Sequence, residues 1–116
     1  MNANTKTKSS VSVLDLARAI KDLEARLDKN INTYPLYTEV GMQIVLIALH
    51  AHVELKRHTA PGPISVQVVK GRVSFRTDDG EHELDSTQLL TLEAHVPHCI
   101  YANQRSIVLV TKSIPQ

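Results

Sequence analysis

A chain of 116 residues, 42% of them apolar, can build one modest core and not two. Its 13 basic and 12 acidic side chains nearly cancel, which removes the electrostatic case for nucleic acid or an anionic membrane as partner. Three tyrosines, one phenylalanine and no tryptophan are too few for a base-stacking platform.

Residues 1–11 are polar and small and are expected to form a disordered tail. No apolar run follows Lys6 and Lys8, so this start does not read as a signal peptide. Over 12–30 the period becomes helical. Val13, Leu16, Ile20, Leu23 and Leu27 make one apolar stripe, with Ser12 as the expected N-cap and Asn30 as the stop. Arg18, Asp22 and Arg26 form a charge ladder on the wet side. Such a helix lies against the rest of the domain or against a dimer mate.

From Tyr37 to Gln116 every signal is that of a strand, and this span is the expected barrel domain. "MQIVLIAL" is apolar on both faces; "ISVQVV" and "RVSF" are separated by a corner at Lys70-Gly71; "TDDG" predicts a hairpin at Asp79-Gly80. "EHEL", "QLLTL", "HCIYA" and "SIVLVTK" complete the series. Short strands, tight turns and no second helix predict an all-β jelly-roll barrel with one N-terminal α-helix. The longest apolar run, Ile44 to Leu49, is too short to span a bilayer. Cys99 is the only cysteine, which suits a reducing compartment, and a cytoplasmic protein is expected.

Two histidine segments, "HTAPGPISVQVVKG" and "LEAHVPH", resemble the paired motifs of the cupins, small barrels of the double-stranded β-helix type. The resemblance covers about Met42 to Lys112. It matches His58 to the first histidine of the first motif, Gly71 to its closing glycine, and His98 to the histidine of the second motif. Ala60 and Ile64 stand where the family has its second histidine and its glutamate. Glu93, His95 and Ala102 replace the proline, glycine and asparagine of the second motif. Two of the four usual metal ligands therefore remain. His52, Thr87 and His95 occupy turn positions where cupins often place glycine, so a positive φ there would strain them.

On this resemblance Ile64, Val66 and Val68 share one parity and face the lumen with His98, Ile100 and Ala102, while His58 stands at its mouth. A catalytic divalent site normally needs three protein ligands and an open position. His58 and His98 are the candidate metal ligands, with His95 or Glu54 as the candidate third. Imidazoles alone would hold Zn, Ni or Cu weakly. "HAH" at His50 to His52 lies too far from Gly71 to be the family's pair, and "EHE" at Glu81 to Glu83 reads as a solvated edge.

Three functions stay open: a barrel binding a small molecule in its lumen, a metal-dependent dioxygenase- or isomerase-like enzyme with an atypical two-histidine site, and a structural or regulatory module. A homodimer is expected, because the outer face of "MQIVLIAL" and of Ser65, Gln67 and Val69 needs a cover.

Overall fold

The computed structural model describes residues 10–115. One helix, α1 (Leu16–Glu24), precedes nine strands: β1 (Ile31–Glu39), β2 (Met42–Leu49), β3 (Glu54–His58), β4 (Ile64–Lys70), β5 (Arg72–Thr77), β6 (Gly80–Asp85), β7 (Leu89–Leu92), β8 (His98–Ala102) and β9 (Ser106–Ser113). They form two antiparallel sheets, ordered β1-β2-β9-β4-β7 and β3-β8-β5-β6. The expected all-β jelly roll with one N-terminal helix is the architecture found. No helix among the described residues is long and apolar enough to cross a membrane.

Alternation decides which face is core. β4 reads buried at Ile64, Val66 and Val68, and β8 at His98, Ile100 and Ala102. The apolar members of these sets meet Phe75, Val108 and Val110 between the sheets. The corner from β4 to β5 needs glycine twice over. Gly71 has φ +91°, and a Cβ there would run into the Ser106 hydroxyl and the Arg105 carbonyl.

Three other turns keep the left-handed backbone without glycine: His52 (φ 69°), Thr87 (φ 75°) and His95 (φ 68°). Each is held by its own backbone N–H, donated to Ala102 O at 2.7 Å, Val68 O at 2.7 Å and Ala60 O at 2.8 Å respectively. These turns are strained rather than rebuilt.

The helix is shorter than the expected 12–30. Asp15 replaces Ser12 as cap, its carboxylate accepting from Arg18 N at 3.1 Å, and Val13 is 92% exposed. Nine residues suffice to lay Ala19 and Leu23 on Leu46, Ala48 and Ile107, the outer face of the five-stranded sheet. Lys70 Nζ anchors the helix end on Glu24 at 2.9 Å. The chain thus covers part of its own outer face, one of the two placements that the sequence leaves open for the helix.

Two further boundaries differ from expectation. The barrel begins at Ile31 rather than at 37, because β1 tolerates Pro35 at a sheet edge, with a register irregularity between Pro35 and Tyr37. The β5–β6 loop is Asp78-Asp79, with Gly80 already paired to Thr77.

Candidate functional site

The site rests on one irregularity in β3. Glu54 pairs with Tyr101 and Leu55 with Ile100, but the next partners are His58 and His98. Three residues on β3 therefore span two on β8, a β-bulge. Without the extra residue, the alternation that turns Leu55 inward would turn His58 outward. With it, His58 faces His98, and their ring centroids lie 4.3 Å apart at 58°.

The two rings are fixed differently. His98 is 2% exposed and stacks on Phe75, with centroids 5.3 Å apart and planes 10° from parallel, whereas His58 is exposed. Each Nδ1 faces a carbonyl two residues earlier: His58 to Lys56 O at 2.7 Å, His98 to Val96 O at 2.9 Å. A carbonyl only accepts, so Nδ1 is the protonated nitrogen in both, and in the neutral rings Nε2 keeps a free lone pair. Burial holds the His98 pKa below the usual histidine value; the Val96 carbonyl opposes this, and the charges of His58 and Lys112 reinforce it.

Both imidazoles border a cavity of about 260 Å³. Its walls are Ile47, Leu55, Ile64, Val66, Ile100 and Val110, its rim is Thr59, Ala60 and Pro61, and Lys112 is its third polar group of consequence. Of the residues expected to line a lumen, His58, Ile64, Val66, His98 and Ile100 do so. Val68 and Ala102 are fully buried in the core instead and do not reach the cavity. The rim is tied down on two sides, by His95 N donating to Ala60 O and by Ser113 N donating to Pro63 O at 3.0 Å.

Ile47, Leu55, Val110 and Lys112 line the cavity without being pointed to by the motif resemblance, and Lys112 is the charged one. Its signal lies in β9, where Val108, Val110 and Lys112 share one parity and the first two are buried.

No protein-family model matches this sequence, and no curated protein matches it either. Solved structures do. A protein from Thermus thermophilus superposes with a TM-score of 0.74 at 23% identity, over 90% of this chain and 100% of that one. A conserved Streptococcus pyogenes protein of unknown function gives 0.73 at 21% identity, over 96% and 94%. A cupin superfamily protein from Desulfitobacterium hafniense gives 0.71 at 20% identity, over 73% and 78%. The fold is that of the cupins. Identities this low carry the cupin fold alone, so the chemistry must be read from the residues themselves.

The cupin metal set is incomplete here. Ala60 and Ile64, at the positions of the second histidine and the glutamate, line the same cavity and offer no donor atom. Neither candidate third ligand joins the pair. The bulge places Glu54 on the outer face beside Cys99 and Tyr101, although it shares sequence parity with His58. His95 serves the rim through its backbone, and among the described residues no three His, Cys, Asp or Glu side chains come together. Lys112 lines the same cavity, and its positive charge disfavours a cation there. These residues do not fit a resident catalytic divalent metal.

The other titratable candidates lie elsewhere. His50 follows the end of β2, His52 sits in a turn with its Nδ1 2.9 Å from Tyr101 Oη, and His82 is on the exposed edge strand β6. Cys99 is half-buried, and burial together with the neighbouring Glu54 pushes its thiol pKa up, away from a reactive thiolate.

Proposed function

We propose that this cupin-fold protein binds a small, partly apolar molecule in its lumen, in contact with His58 and His98. The observation that carries this reading is the cavity itself, with aliphatic walls and two converging imidazoles whose Nε2 atoms have no hydrogen-bond partner among the described residues. A benzene-sized guest needs about 150 Å³, so the cavity takes a body of roughly ten heavy atoms. Native mass spectrometry of gently purified protein tests this. A mass increment from an organic molecule in wild type should vanish in Ala60→Trp, which fills the rim, with circular dichroism confirming that the variant folds. Binding that survives the filled lumen would contradict the reading.

A second reading is favoured by the tethered Nδ1 atoms. Histidines whose Nδ1–H is held by a carbonyl present Nε2 as metal ligands do. Zinc, nickel or copper would then bind weakly at His58 and His98, completed by exogenous ligands, as in an atypical cupin enzyme. We further propose a homodimer, as a binder or as a purely structural module, and a cytoplasmic setting that keeps the single thiol of Cys99 reduced.

A further inference from the structure

One of the residues that line the lumen is a lysine, Lys112. Lys112 continues the inward parity of Val108 and Val110 on β9 and stands opposite Ile64 of β4 in register. It lines the cavity together with both imidazoles. The ion pairs found elsewhere involve Arg57, Lys70, Arg72 and Arg76, and no carboxylate among the described residues pairs with Lys112. Among the described residues no acidic side chain lines the cavity. A lysine that lines an apolar cavity and has no carboxylate partner among the described residues offers a charge that an anionic guest would pair with.

We infer that the lumen is selective for small apolar carboxylates, the carboxylate pairing with Lys112 and the hydrocarbon body lying on Leu55, Ile64, Val66, Ile100 and Val110. This rests on the proposed lumen binding and specifies the class of guest. In their neutral form the imidazoles do not compete for the anion. With Nδ1 committed to backbone carbonyls, the neutral rings offer acceptors at Nε2, suited to a hydroxyl or another donor on the guest. The effect of Lys112 on the His98 pKa agrees with a charge directed at the same space.

The test compares three probes of one shape, octanoate, 1-octanol and octylamine, titrated into wild type and Lys112→Met while amide resonances of lumen residues are followed by NMR. Methionine keeps an unbranched stem and removes the charge. Octanoate should bind wild type roughly tenfold more tightly than octanol, the size of one charge-assisted hydrogen bond, and this preference should disappear in Lys112→Met. Equal affinity for octanol and octanoate, or a preference for octylamine, would overturn the carboxylate inference and leave lumen binding intact. Absence of any saturable change at lumen residues with all three probes would remove the lumen-binding reading and the inference together.

Discussion

His58 and His98 face each other across adjacent antiparallel strands with ring centroids 4.3 Å apart, and a single extra residue in β3 between Leu55 and His58 brings them there. The same bulge explains why Glu54 leaves the site. One local irregularity thus admits His58 to the lumen and keeps Glu54 out of it.

The buried ring makes stability depend on pH. The folded state holds His98 below the 6.5 of a free imidazole, so between the two pKa values the unfolded chain binds the extra proton. The His98 contribution is fully present above about pH 6.5 and is lost as the pH falls toward the depressed folded value. Urea midpoints should therefore drop from pH 7.5 to pH 5, with a shallower drop in His98→Gln. Equal slopes in the two proteins would show that His98 is not the group responsible.

Thr87 is a β-branched residue at φ 75°, the least favourable type for that region among the three non-glycine turns. Thr87→Gly should stabilise the domain by about 0.5–1 kcal/mol, since relief of backbone strain exceeds the entropy glycine adds to the unfolded chain. A lower urea midpoint in the variant would refute this.

Much of this fold can be read from period-two alternation. Ile64, Val66 and Val68 in one strand and His98, Ile100 and Ala102 in another have the inward parity expected of them. The turn positions His52, Thr87 and His95 also have the positive φ that the cupin resemblance implied. The rest is what alternation cannot express. A bulge reverses parity without a sequence signature, so Glu54 and His58 separate. Pro35 disguises β1, which survives because it is an edge strand. Depth is equally hidden: Val68 and Ala102 have lumen parity and yet sit in the core away from the cavity. Lys112 is legible by parity, but it lies on β9, outside the strands that carry the two motifs.

The corner glycine that closes the first motif should be intolerant. Gly71→Ala adds a Cβ against Ser106 and Arg105 at a backbone conformation that alanine resists. Steric overlap and φ strain together should cost at least about 2 kcal/mol in denaturant unfolding. A loss under about 0.5 kcal/mol would mean that this corner relaxes freely.

Apolar surface also remains beside the helix. Val11, Leu14 and Met42 are exposed around a groove that Tyr37 and Ile44 also line, at the edge of the five-stranded sheet. Light scattering at tens of micromolar should give twice the 12.9 kDa of one chain, and Met42→Glu should shift it toward monomer. A wild-type mass of one chain would contradict the dimer.

The most direct test of the central claim, that His58 and His98 serve an organic guest rather than a resident metal, is elemental analysis. Protein purified without nickel resin or chelator and then dialysed should carry transition metal far below one equivalent per chain. Zinc, nickel or copper added afterwards should bind weakly and be released on acidification, because a protonated imidazole cannot ligate. Stoichiometric metal that survives dialysis in wild type, and is absent from both His58→Ala and His98→Ala, would contradict the account.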